Sequence, residues 1–308
     1  MELHDVPAPA KINLFLHVTG RRDDGYHLLQ TAFRFVGLYD TLAFDTRRDG
    51  QVEREGEGLS GLAPEDDLVV RAARTLQRAT GTSQGVQIRY TKRIPSGAGL
   101  GGGSSDAAST LIALNRLWGT GLDRQQLMVL GSTLGADVPV FIYGQPAFAT
   151  GIGDIFQPLS LPDNAYVVVQ PPQAVPTGDI FSAPDLTRDS ACVKMLVFTE
   201  WLNKNKPLNG YRESGFFGRN DLEPVVFARY PQVQATARWL NQQGVNARMS
   251  GSGACLFAEF VTIEQAAKFQ TRVFGKIYSR ESGSVAVIRN AWACPGLHDH
   301  PLRHWISS

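Results

Sequence analysis

The 308-residue chain contains three cysteines, Cys192, Cys255 and Cys294, odd in number and far apart. They offer neither a zinc-ligand spacing nor a disulfide framework, so a reducing compartment is expected. No stretch approaches the roughly 18 apolar residues of a spanning helix, and no membrane partner is expected. The opening Met-Glu-Leu-His-Asp lacks a basic segment followed by an apolar run, so neither a signal nor a transit peptide is expected. The expected location is cytoplasmic. An excess of one charge sign is also missing. The 30 basic and 29 acidic residues give a net charge of +1. That balance excludes the global basic bias of a non-specific nucleic-acid binder, and no nucleic-acid partner is expected.

Glycine, by contrast, is abundant. The chain has 31 glycines, about 10% against a usual share of roughly 7%. Five of them fall within Gly97–Gly103. They follow no three-residue period, which excludes a collagen-like chain. Hydrophobic residues at 43% and charged residues at 19% fit a folded protein with a sizeable core.

Residues 11–18 alternate, with Ile12, Leu14, Leu16 and Val18 on one face and Asn13, Phe15 and His17 on the other. That pattern predicts a half-buried strand. A loop is expected over 20–25, then one or two strands over 28–45. Asp66 and Asp67 can cap a helix over 68–79 that ends at Gly81. A strand over 86–90 precedes the glycine cluster, and a helix follows over about 105–118. There Ala107, Leu111, Leu114 and Trp118 form a core-facing stripe, with Gly119 just past the end. Asp123 caps a further helix to about 134. Residues 140–143 and 147–150 are short strand candidates.

A second region opens near 165. The expected order is strand 166–170, helix 190–204, helices 222–243, strands 245–249 and 255–260, helix 263–273 and strand 284–289. Segment 205–219 reads as a surface loop. Strands alternating with helices indicate an α/β or α+β layer structure. The domain boundary is placed near 160, giving regions 1–160 and 161–308.

The glycine cluster reads Pro95, Ser96, Gly97, Ala98, Gly99, Leu100, Gly101, Gly102, Gly103, Ser104, Ser105. A strand enters it and a helix leaves it. Missing side chains let backbone N–H groups approach an anion, and the helix start adds unpaired donors and a positive dipole end. A flexible glycine hairpin is the plain alternative. Gly97, Gly99 and Gly102 satisfy the dinucleotide fingerprint, but the helix after it is not followed by a strand. Gly97 and Gly102 fit a Walker A spacing, but Gly103 stands where its lysine belongs.

The loop resembles that of the GHMP kinases, which include galactokinase, homoserine kinase and mevalonate kinase. Pro9-Ala10-Lys11-Ile12-Asn13-Leu14 resembles that family's first motif, and Arg248–Phe257, with Ser250-Gly251-Ser252-Gly253, its third. The three occur in family order and span nearly the whole chain. Asp24-Gly25-Tyr26-His27, Gly135-Ala136-Asp137-Val138-Pro139 and Asn220-Asp221-Leu222-Glu223 further resemble the branch acting on a cytidine-diphosphate-linked methylerythritol.

The resemblance implies a two-domain fold, an N-terminal nucleotide-binding domain and a C-terminal ferredoxin-like substrate domain. It implies ATP as cosubstrate, Mg²⁺, and transfer of a phosphoryl group to the 2-hydroxyl of that small-molecule substrate in non-mevalonate isoprenoid precursor biosynthesis. Asp137 would be the general base. Lys11 would stand beside it and supply the cation missing at Gly103, and Asn13 would orient the acceptor hydroxyl. Pro95 to Ser105 would wrap the ATP phosphates, with Ser104 or Ser105 near Mg²⁺. Tyr26, His27 and Phe181 would hold the cytosine, and Thr177 a phosphate. Asp67 stands where relatives more often carry an asparagine at the adenine pocket. Lys92 and Arg93 either add positive potential to the loop or mark an exposed strand end. Other GHMP kinase substrates, a non-catalytic nucleotide-binding regulator and a nicotinamide dehydrogenase remain as alternatives. The assembly is a monomer or homodimer on this reading.

Overall fold

The computed structural model describes residues 1–55, 63–205, 215–278 and 288–307. The chain begins with two long antiparallel strands, β1 (Glu2–Arg21) and β2 (His27–Arg47). Their register runs from Glu2 opposite Asp45 to Arg21 opposite His27. The turn between them is closed by Arg22 N–H to Tyr26 O at 2.7 Å and Gly25 N–H to Arg22 O at 3.0 Å. The segment expected to hold one or two strands is therefore one. Residues 11–18 are buried on both faces rather than one, because loops from distant parts of the chain cover the polar side.

Next come β3 (Val52–Arg54), α1 (Leu68–Thr80) and β4 (Gly85–Thr91), then α2 (Gly102–Leu117) and α3 (Arg124–Ser132). Asp67 caps α1 by accepting from Val69 N–H, and Gly81 closes it in the left-handed conformation. Asp123 and Gln126 form a reciprocal capping box at the start of α3. Helix α2 is buried around almost its whole girth, as befits a helix between a sheet and other helices.

The short segment expected as a strand over 140–143 is instead a helix, α4 (Val138–Tyr143). Pro139 sits in its first turn, where no N–H is needed, and Gly144 closes it with an N–H to Val140 O. A six-residue apolar run carries no period that separates a buried helix from a strand. Strands β5 (Ala147–Thr150), β6 (Ile155–Pro158) and β7 (Ala165–Gln170) follow.

The second half holds α5 (Thr177–Phe181), α6 (Met195–Lys204), α7 (Glu223–Arg229), α8 (Pro231–Gln242), β8 (Arg248–Met249), β9 (Leu256–Phe260), α9 (Ile263–Tyr278) and β10 (Asn290–Leu297). Helix α6 begins later than expected, β8 keeps two of the five residues expected for it, and α9 runs past 273. Of the strand expected over 284–289, residues 284–287 lie outside the described residues; 288 and 289 are not in a strand, which starts at Asn290. Of the loop expected over 205–219, residues 206–214 also lie outside them.

Strand order in the second half is β10-β7-β9-β8, every pair antiparallel. This is the fourth-first-third-second order of a βαββαβ unit, the ferredoxin-like arrangement. Through β10, where Gly296 pairs with Val36, it joins β2 and the order β3-β4-β2 of the first half. One apolar cluster packs α1, α2 and α4 on the first half, and a second packs α7, α8 and α9 on the other. A third, with Phe15, Phe148, Phe198 and Phe257, lies where they meet.

Candidate active site

A register shift between Pro9 and Ala10 re-aims β1 just before Lys11. Lys11 is 3% exposed, and its buried ammonium needs partners. Its Nζ donates to Asn13 Oδ1 at 2.8 Å and lies 3.2 Å from Asp137 Oδ2. Asp137 stands immediately before α4, so the short helix that replaces the expected strand carries it to the lysine. Asn13 Nδ2 donates to Thr31 Oγ1 at 2.9 Å, and that hydroxyl donates to Phe15 O at 2.5 Å. The amide of Asn13 is thereby held in one orientation.

The glycine loop lies against the same strand. Lys11 N–H bonds Leu100 O at 2.9 Å. At Gly99 (φ +73°) an added Cβ would fall 2.0 Å from Ser250 O, so the left-handed backbone and the close approach both require glycine. Ser250 begins the second glycine loop and ties three elements together. Its Oγ donates to Gly99 O at 2.8 Å and accepts from Asn13 N–H at 3.3 Å. Thr177 Oγ1 and Ser252 Oγ are 2.7 Å apart.

These parts border one cleft of about 880 Å³. Lys11, Asn13, Asp137, Tyr26, His27, Thr177 and Phe181 all line it. So do Pro95, Ser96, Gly97, Ala98, Gly99, Gly101, Gly102, Gly103 and Ser104. Leu100 and Ser105 do not: Leu100 turns into the apolar core, and Ser105 is wholly buried on the inner side of α2. Of the two candidate Mg²⁺ serines, Ser104 alone faces the cleft.

Tyr26 is exposed on the cleft wall. His27 and Phe181, which also line it, pack with ring centroids 5.2 Å apart. Burial, then the cations Arg188 and Arg21, hold the His27 pKa below its ordinary value. Arg188 Nε donates to His27 Nε2 at 3.0 Å, a contact from a segment with no periodic signal in the sequence.

Two further groups were named in the sequence without a settled role. Lys92 is not an exposed strand end. It is clasped between the buried carboxylates of Asp40 and Asp106 and reaches the cleft wall. Burial pushes the Asp106 carboxyl up to about 7, against the pull of Lys92. Asn220 is the other. Its Nδ2 donates to Met249 O at 2.9 Å and Gly251 O at 2.8 Å, while its Oδ1 accepts from Leu222 N–H at 3.0 Å. It therefore pegs the second glycine loop. Asp67, in contrast, is committed elsewhere: its Oδ2 accepts from Arg54 at 2.7 Å and Tyr90 at 2.6 Å, and neighbouring Leu68 lines the cleft instead.

A glycine cradle at a helix start, a buried lysine and a carboxylate opening to the same cleft define a phosphoryl-transfer site of the small-molecule kinase type. Residues 67–145 match the family model for the GHMP kinase N-terminal domain, and residues 205–279 the one for the C-terminal domain. The chain belongs to the GHMP kinase family. It is 59% identical to 4-diphosphocytidyl-2-C-methyl-D-erythritol kinase of Bordetella parapertussis, over 100% of both chains. The protein of the same name from Aromatoleum aromaticum is 49% identical, over 99% of this chain and 97% of that one. A crystal structure of 4-(cytidine 5'-diphospho)-2C-methyl-D-erythritol kinase superposes with a TM-score of 0.77 at 33% identity, covering 96% and 99% of the two chains. Homoserine kinase from Cytophaga hutchinsonii shares the fold at 17% identity and a TM-score of 0.64, covering 97% and 95%. Among the described residues no helix is long and apolar enough to cross a membrane.

Proposed function

We propose that this chain transfers the γ-phosphoryl group of ATP to the 2-hydroxyl of 4-diphosphocytidyl-2-C-methyl-D-erythritol. The observation that carries the reading is the Lys11–Asp137 pair in one cleft with Tyr26, His27 and Phe181, in a chain 59% identical to a kinase of that name. A small aliphatic acceptor has no use for aromatic side chains lining the cleft, whereas a pyrimidine base stacks on them.

Phosphoryl transfer needs alignment and charge neutralisation more than covalent chemistry. The backbone N–H groups of the glycine loop and the start of α2 hold the phosphates. Asp137 accepts the proton of the acceptor hydroxyl, and its 39% side-chain exposure leaves it open to substrate. Lys11 beside it neutralises the attacking and transferred oxygens. Asn13 orients the hydroxyl. Thr177 and Ser252 meet a phosphate of the acceptor.

Mg²⁺ would supply charge neutralisation at the ATP phosphates, and the Ser104 hydroxyl, which lines the cleft, would be the protein group beside it. We place the division between the nucleotide-binding and substrate domains near residue 160 and the protein in the cytoplasm.

The test is ADP release by the purified protein with ATP, Mg²⁺ and the cytidine substrate, with mevalonate as control acceptor. Turnover is expected with the cytidine substrate alone. Absence of turnover with folded protein overturns the proposal.

A further inference from the structure

Arg188 is an arginine with no carboxylate partner among the described residues. Its Nε donates to His27 Nε2 at 3.0 Å. Its Nη1 donates to Leu186 O at 3.0 Å, and its Nη2 to Phe181 O at 3.1 Å and Ala183 O at 2.6 Å. Every nitrogen of the guanidinium is thus engaged, and the side chain ties the His27 ring to the backbone of Phe181, whose own ring packs on His27 in the cleft wall. The bonds to 181, 183 and 186 fix the fork in place, so the direction of its Nε–H is not free to change.

The chemistry of that contact has one reading. A guanidinium donates and never accepts. His27 Nε2 must therefore carry a lone pair, and a neutral imidazole with an unprotonated Nε2 carries its proton on Nδ1. The second nitrogen has no partner among the described residues, and the residue lines the cleft. Protonating Nε2 would set N–H against N–H, so the ring is confined to one tautomer at neutral pH. The lowered pKa of His27 agrees with this.

We propose that Arg188 is a positioning residue that fixes His27 as the Nδ1–H tautomer, so that the ring acts as a donor toward N3 of the bound pyrimidine and selects cytosine over uracil. The inference rests on the function proposed above. Cytosine N3 is an acceptor and pairs with a donor. Uracil N3 carries a proton, which would face the Nδ1–H and leave both donors unpaired. A site built around one polar match rejects the mismatched ligand far better than an apolar pocket distinguishes shapes.

The tautomer is read directly on the wild-type protein by ¹⁵N NMR of its histidine rings at pH 7, with His27→Gln to assign the signals. The expected pattern is a protonated Nδ1 and an unprotonated Nε2. A protonated Nε2 overturns the proposal without any variant of Arg188. Arg188→Lys keeps the charge but cannot reproduce the fork. It should raise KM for the cytidine substrate at least about tenfold, while kcat and KM for ATP stay within about twofold. CDP should compete with substrate at least about tenfold better than UDP in the wild type, and this preference should shrink in the variant. An unchanged KM and an unchanged CDP preference overturn the assignment. Wild-type turnover separates the two levels. An enzyme that turns over the cytidine substrate with the other tautomer refutes Arg188 alone, and one that fails to turn it over refutes the function itself.

Discussion

Lys11 Nζ lies 3.2 Å from Asp137 Oδ2, and the two side chains are 4% and 39% exposed. A buried cation thus faces a carboxylate that opens to the cleft. The lysine ammonium also donates to Asn13 Oδ1 at 2.8 Å. The pair joins a lysine on β1 to an aspartate 126 positions later, at the start of α4.

Replacing Asp137 by Asn keeps the shape and removes the proton acceptor. Turnover should fall at least about a hundredfold, the usual contribution of a general base. ATP binding should persist, because the phosphate cradle is backbone. Steady-state kinetics together with nucleotide titration check this, and an unchanged kcat would remove Asp137 from the mechanism.

The glycine loop makes a contrast within one motif. Gly97 and Gly99 both have positive φ, +61° and +73°. A Cβ on Gly97 meets nothing within 4 Å, whereas on Gly99 it would sit 2.0 Å from Ser250 O. Gly97→Ala should cost about 1–2 kcal/mol, the strain of a left-handed L-residue. Gly99→Ala should cost more and should push the two glycine loops apart, raising KM for ATP. Denaturant melts and ATP kinetics of the two variants decide it. Equal losses would mean that the approach of the loops is not what Gly99 is there for.

How much of this was legible beforehand depended on the kind of signal. Lys11, Asp137 and the loop could be found because motif residues lie close together in the chain. Asn220 lies in such a motif but its partners do not, so its role could not be read, and Arg188 lies in none. Their work is done on backbone carbonyls far away or on one ring across the cleft, and a single polar residue that bonds a carbonyl leaves no period behind. Lys92 was ambiguous for a related reason: its partners Asp40 and Asp106 come from β2 and α2, and only the fold brings them together. The α4 segment was misread because its buried surface runs all round, so the hydrophobic pattern had no face to report. Capping residues, which act within three positions of themselves, were readable at Asp67 and Asp123.

Asn220 and Asp221 are adjacent and both buried, yet they hold different things. Asn220 bonds the carbonyls of Met249 and Gly251 in the second glycine loop. Asp221 accepts from Val18 N–H at 2.7 Å and Ser190 Oγ at 2.5 Å, away from that loop. Either Asn220→Ala or Asp221→Ala should destabilise the fold by about 1–3 kcal/mol, the cost of leaving buried polar groups unpaired. Well below the melting temperature, only the first should also lower kcat. Parallel melting curves and assays at 25 °C separate the two, and an equal kcat in both variants would make Asn220 a purely structural residue.

His300 gives a pH dependence independent of catalysis. It is 1% exposed between Phe35 and Phe141, its Nδ1 accepts from Leu302 N–H at 3.1 Å, and its Nε2 has no partner. Burial, with a smaller push from Arg124, draws its pKa down from 6.5 to about 3. The unfolded chain therefore binds a proton between these two values that the folded chain refuses. Stability from this group is complete above about pH 6.5 and falls by up to about 1.4 kcal/mol per pH unit as the solution is acidified toward 3. In His300→Gln, which does not titrate, the slope of stability against pH between 6 and 4 should be shallower than in the wild type by up to about one proton's worth. Denaturant unfolding across that range reads the slope directly. Parallel curves for the two proteins would show that His300 takes up its proton without unfolding the chain.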